Sequence, residues 1–209
     1  MIGGRSTEGF GAPTSREVLD RVADRLRDRN MEALVVEDAD AARAAALDRI
    51  SDGAEVHAGK SKTLEDAGIL EALEAPGRFV YLRPRLLAMD RATQAREMRK
   101  LVAAPDVMLG SVGAVTEDGV LVAASATGSQ LGPYASGAGK VILVVGSQKV
   151  VPTLDAALRR IRGPVFDWEM DRVRETMGVD TVLAKLLLIE REWLAGRTTV
   201  VLVRTPIGI

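Results

Sequence analysis

The chain has 209 residues, 47% of them hydrophobic, which suits one domain with a sizeable core. Its 28 Lys and Arg are matched by 29 Asp and Glu, and aromatics are few, so neither a basic surface nor a base-stacking platform for nucleic acid is expected. The lack of cysteine excludes disulfides, thiol catalysis and an iron–sulfur cluster on this chain's own thiolates, and a single histidine argues against zinc, so no metal and no cofactor are expected.

Residues 1–13 hold four glycines and a proline without periodicity and read as a mobile tail before a single domain at 14–209. This N-terminus lacks the apolar stretch of a secretory signal, and the apolar run "VILVVG" is too short to span a bilayer; a cytoplasmic protein without membrane contact is expected. Richness in Ala, Arg, Asp and Val suggests a bacterial source. Thr14 and Glu17 form a capping box, and Val18, Leu19, Val22 and Leu26 predict an amphipathic helix ending near Asn30. "EALVVE" reads as a buried strand, Asp40 as the cap of a helix to about Ile50, and "AEVHA" as a second strand. A helix over "TLEDAGILEAL", a strand "RFVYL" and a helix near 85–103 with Ala88, Ala92, Ala95 and Val102 on one face come next. Asp118-Gly119 marks a turn between apolar runs, "KVILVVG" reads as a buried strand, and a helix opens at Pro152 with Leu154, Ala157, Leu158 and Ile161 inward. Helices near 167–177 and 180–195 and a strand "TTVVLVR" complete the pattern.

Strands separated by helices predict a three-layer α/β fold, a mostly parallel sheet with helices on both faces. The glycine-rich segment 109–139 is expected as hairpin-like strands and loops at the mouth of that sheet, beyond the carboxyl ends of the strands, where such folds bind ligands.

Five ordered segments carry a family resemblance: "VHAGKSKTLEDAGIL" at 56–70, "GSVGAVTEDGVLV" at 110–122, "TG" at 127–128, "GKVILVVGSQKVV" at 139–151 followed by "ALRRIR", and the closing "VVLVRTPIGI". Together they resemble the lactate-utilization (LUD) domain family. The resemblance implies a fold of the NagB/RpiA/CoA transferase-like type, related to ribose-5-phosphate isomerase and coenzyme A transferases. It also implies a bacterial setting beside iron–sulfur oxidoreductase subunits as partners. Related sequences often carry a cysteine-containing segment after the helix matching 152–162; this chain has none there, which argues against redox work of its own.

The "GKS" at 59–61 invites a nucleotide reading, yet a Walker A loop needs a glycine at position 54, which is Ala54, and the strand leaves no room for a phosphate cradle. A strand ending in Gly59, Lys60, Ser61, Lys62 and Thr63 before a helix can instead hold a small anion through backbone N–H groups, hydroxyls and charge. The plain alternative is that Ser61 or Thr63 merely caps that helix. Glu117, in "VTEDG" with Thr116 and Gly119, is the candidate nucleophile or base; that role needs it desolvated and beside an oxyanion stabiliser such as Lys60, whereas Glu-Asp-Gly is also an ordinary polar turn. Thr116, Gly119 and Gly128 join Gly59, Lys60, Ser61 and Thr63 in the expected ligand-binding set, the glycines letting backbone approach a ligand. His57 reads as a core residue, and the stripe Val182, Leu183, Leu186, Leu187 and Trp193 as core or the face of a homodimer. The leading expectation is a LUD-type accessory protein that binds a small anionic metabolite or a partner oxidoreductase subunit without redox chemistry. Its rival is an isomerase or acyl-CoA transferase using Glu117 with the 59–63 turn.

Overall fold

The computed structural model describes residues 11–75 and 77–209. The expected tail lies outside the described residues as far as position 10, and 11–13 take no helix or strand. The first helix, α1 (Arg16–Asp28), is capped by Ser15 rather than Thr14: the Ser15 hydroxyl accepts from the Val18 N–H at 3.3 Å. Leu19, Val22, Ala23 and Leu26 are its buried face, and Asn30 ends it in the left-handed conformation (φ 63°) that asparagine tolerates. After β1 (Glu32–Val36), α2 (Ala39–Leu47) is capped by Asp38 rather than Asp40, because Asp38 is the extended residue whose carboxylate meets the Ala41 N–H at 2.9 Å.

Between β2 (Glu55–Ala58) and Pro76 the single expected helix is two short ones, α3 (Lys62–Asp66) and α4 (Ile69–Glu74), because Gly68 sits between them at φ 65°. The strand expected over 78–82 is only β3 (Val80–Tyr81), an edge strand paired with Glu55 and Val56. The helix expected near 85–103 divides into α5 (Leu82–Ala88) and α6 (Arg91–Ala103), restarted by Asp90, whose carboxylate accepts from the Ala92 N–H. No α6 residue is fully buried: of the predicted face, Ala95 and Val102 are half-buried and Ala92 is exposed.

The remaining elements are β4 (Val107–Gly110), β5 (Ala114–Thr116), β6 (Leu121–Ser125), β7 (Lys140–Gly146), β8 (Val150–Val151), α7 (Leu154–Arg160), α8 (Phe166–Met177), β9 (Lys185–Ile189) and β10 (Thr198–Val203). Six strands in the order β1-β10-β7-β4-β2-β3 pair in parallel throughout. Their unbroken apolar runs follow from burial on both faces: α1 packs on one face through Leu19 and Leu26 in a core shared with Val141, Leu143 and Val145, and α2, α3 and α4 pack on the other through Ala42, Leu64 and Ile69. The fold is therefore the expected three-layer α/β arrangement.

A second sheet, β8-β5-β6-β9, is built by the glycine-rich segment and its neighbours. It overturns the helix expected at 180–195, where β9 pairs antiparallel with β6 from Leu121↔Ile189 to Ser125↔Lys185. The run "LLLI" suits a helix or a strand by local pattern. Tertiary pairing decides, and its alternate residues part between two cores, Leu187 and Ile189 into one and Leu186 into the other. The stripe read as helical is accordingly no helix face, and Val182 and Trp193 are exposed. Among the described residues no helix is long and apolar enough to cross a membrane, and no group of three His, Cys, Asp or Glu could hold a metal.

Candidate functional site

Where β2 and β4 end, the chain turns away at Gly59 and at Ser111, and a cleft of about 550 Å³ opens beyond their carboxyl ends. Gly59, Lys60, Ser61 and Thr63 line it from one strand, and Gly110 to Gly113 from the other. The turn at 126–130 after β6 forms one side, and α8 with residues 179–183 forms the opposite side. The expected place at the sheet's mouth is thus where the concavity lies.

The geometry of the 59–63 turn differs from a helix-terminus anion nest. Its helix, α3, has only five residues, too few for a useful dipole, and Ser61 spends its hydroxyl on the cap, accepting from the Leu64 N–H at 3.4 Å. Lys60 is exposed on the cleft rim and makes no hydrogen bond or ion pair among the described residues. Lys62 turns back to Asp66 and Glu65, at 2.5 and 3.2 Å. Thr63 is buried, and its Oγ1 accepts from Lys149 Nζ at 2.7 Å.

Lys149, just after β7, is not among the residues that the sequence singles out, and it is the most unusual group in the cleft. Only 3% exposed, it donates to Thr63 Oγ1, to Ser111 Oγ at 3.1 Å and to the Val112 carbonyl at 3.4 Å, and it has no carboxylate in an ion pair among the described residues. Burial, reinforced by the Arg160 guanidinium and partly opposed by Asp66, lowers its pKa to about 7. Arg160 itself is 2% exposed, donates to the Gly113 carbonyl at 2.6 Å, and is lowered by burial to about 10. Two buried cations with neutral hydrogen-bond partners therefore lie near enough for one to act on the other, Lys149 on the cleft and Arg160 outside its lining. The sequence does carry a signal: a lysine in the apolar run "VVGSQKVV", and an arginine three residues after inward Ala157.

Tyr134 completes the floor. Its hydroxyl donates to the Ser111 carbonyl at 3.2 Å, in space that exists because Gly110 has no side chain; a Cβ there would overlap the phenol oxygen. Gly128, at φ 85°, does not itself line the cleft; it donates its N–H to Ser125 Oγ at 2.8 Å, and Thr127 and Ser129 on either side of it are the lining residues.

The hairpin bearing Glu117 lies elsewhere. β5 leaves the cleft at Gly113 and reaches Glu117 four residues later, roughly 13 Å along an extended chain, and neither Thr116, Glu117 nor Gly119 lines the cleft. The Glu117 side chain is 44% exposed and lies 3.8 Å from Arg21 of α1. Thr116 is buried, but its hydroxyl serves the turn, contacting Asp118 and accepting from the Val120 N–H at 2.8 Å. Gly119, at φ 90°, packs against Arg25 and Arg29. Lys60 and Glu117 are thus not brought together, and Glu117 has neither the burial nor the neighbour that catalysis would require of it. His57 is buried on β2 and does not line the cleft; burial first, then Arg83, lowers its pKa.

The LUD domain profile matches residues 19–177, a span that includes Lys60, Thr63, Ser111, Lys149 and Arg160. A crystal structure of a DUF162 family protein from Deinococcus radiodurans is 16% identical, with a TM-score of 0.49, and the alignment covers 91% of this chain and 99% of that one. No curated protein sequence matches.

Proposed function

The chain belongs to the LUD domain family, and from that premise we propose that it binds a small organic anion of lactate or related acid metabolism in the cleft, without carrying electrons itself. The observation that carries this reading is Lys149: a buried cation on the cleft, near a second buried cation, hydrogen-bonded to hydroxyls and a carbonyl and in no ion pair with a carboxylate among the described residues. Such a charge costs stability while the cleft holds only water, and an anion at that place offsets the cost. Lys60 on the rim adds an unpaired charge along the entry route. Without cysteine, electron transfer falls to a partner oxidoreductase subunit, for which this chain binds the acid.

The enzyme reading built on Glu117 has no geometric support, since its base and its oxyanion partner lie apart. The test is isothermal titration and thermal shift with lactate, pyruvate, acetate and inorganic phosphate at pH 6.5, for wild type and Lys149→Met. The expected result is saturable binding by at least one anion and loss of more than tenfold in affinity in the variant, the size of a lost charge-assisted hydrogen bond. Absence of binding by any of them, or equal affinity in the variant, would overturn the reading.

A further inference from the structure

The cleft is larger and more one-sided than a three-carbon acid requires. Such an acid, of six heavy atoms, fills the space of three or four waters, roughly 100 Å³, against about 550 Å³ available. Its two sides also differ in chemistry. Cationic and hydroxyl groups gather where β2 and β4 end, whereas the far side presents Phe166, Trp168, Met177, Val179, Val182 and Leu183. Three of these, Met177, Val179 and Val182, are 69, 53 and 62% exposed although they border a concave site. Apolar surface left open inside a cleft favours an occupant that covers it. The acidic groups on that side are already neutralised: Glu169 binds Arg172 at 2.5 Å and Asp180 binds Arg174 at 2.7 Å, so they do not repel a carboxylate entering toward Lys149.

We infer that the ligand is an amphipathic carboxylate, its anionic head at Lys149 and Lys60 and an apolar or aromatic body several carbons long against the wall of α8 and residues 179–183. This rests on the anion reading and names the class of acid within it. Lactate and pyruvate, on this assignment, occupy only the head position and bind weakly. The wall contributes nothing to acetate and progressively more to longer acids, until the cleft is filled.

The experiment is titration of straight-chain carboxylates from acetate to octanoate, with phenylacetate, into the full chain at pH 6.5, followed by calorimetry and by Trp fluorescence. Each added methylene should tighten the dissociation constant about three- to fourfold, with one acid bound per chain. Trp168 should report the longer acids, since the other tryptophan, Trp193, is 91% exposed and away from the cleft lining. Met177→Gln combined with Val182→Thr, an uncharged change at exposed positions, should flatten the chain-length slope. Lys149→Met should weaken the whole series by a common factor. A chain-length series that is flat while binding still depends on Lys149 would overturn this inference and leave the anion reading standing. Absence of binding by every acid would overturn both. More than one octanoate per chain, or a slope unchanged in the double variant, would mark partition onto apolar surface and overturn the amphipathic assignment.

Discussion

The two ends of the parallel sheet treat buried cations in opposite ways. At the amino end, Arg197 before β10 is 7% exposed and meets Glu192 at 2.8 Å, and its remaining N–H groups donate to the carbonyls of Pro133, Tyr134 and Ala138. Burial pushes the Glu192 carboxyl up, but hydrogen bonds from Thr198 and Arg197, the Arg197 charge and the Trp193 N–H outweigh it and hold the group below its ordinary value. At the carboxyl end, Lys149 and Arg160 are as deeply buried and are in no ion pair with a carboxylate among the described residues. A buried cation closed by a carboxylate is a structural knot. An open pair of cations beside a cleft is a site waiting for a counter-charge, and the difference lies in the partner rather than in the burial.

Removing one half of the closed pair has the largest expected effect. Arg197→Met leaves Glu192 buried and unpaired and frees the carbonyls of Pro133, Tyr134 and Ala138, so urea denaturation should record a loss of about 3–5 kcal/mol. A loss under about 1 kcal/mol, the worth of an exposed pair, would remove the contrast between the two ends. The same knot dictates behaviour in acid. Because the Glu192 pKa is lowered on folding, its stabilisation is present above the ordinary value of 4.5 and is lost as pH falls through the folded value, and Glu192→Gln should lose this acid sensitivity.

Lys149→Met should do the reverse. A lysine whose pKa falls from 10.5 to about 7 on folding opposes folding fully below pH 7, and the penalty fades as pH rises toward 10.5. Wild type should therefore gain stability across that window, by up to about 5 kcal/mol. The methionine variant should lack the gain and be the more stable protein below pH 7, even as it loses anion binding. Arg160 and Asp66 face Lys149 and tune the window, so the difference between wild type and variant, rather than either curve alone, is the measurement. Wild type and variant with parallel pH curves would show that Lys149 stays charged in the fold.

Tyr134 joins the two ends, its carbonyl held by Arg197 and its hydroxyl by Ser111. Tyr134→Phe should cost about 1 kcal/mol, the net worth of one hydrogen bond, and should disturb ligand binding more than the amino-end knot. Lys60→Ala, an exposed change, should leave stability within about 0.5 kcal/mol and weaken anion binding less than tenfold. A larger loss in Lys60→Ala than in Lys149→Met would move the head of the ligand to the rim.

Much of this molecule is legible residue by residue. The strands β4, β7 and β10 are apolar runs bounded by Pro, Gly or charge, and the helix α1 is a 3.6-residue pattern, so local periodicity suffices to find them. The turn at Gly59 is legible too, because strand, glycine and capping serine are adjacent in sequence. β9 is not, since "LLLI" has no period that distinguishes helix from strand until β6 lies beside it. Nor is the displacement of Glu117: its motif fits a polar turn and a catalytic corner equally, and only the direction in which β5 leaves Gly113 separates them.

Family, layers and the location of the cleft therefore follow from short-range pattern and the order of segments along the chain. The identity of the charge that matters does not. Lys60 and Lys149 are both lysines after a strand and a glycine, 89 positions apart, and the apolar flanks of Lys149 hint at burial without saying what would surround it. Folding sets Lys60 in water and closes Thr63, Ser111 and Arg160 around Lys149. Loss of hydration is a property of what surrounds a group in three dimensions, so the residue with the strongest claim on an anion emerges only from the packed structure.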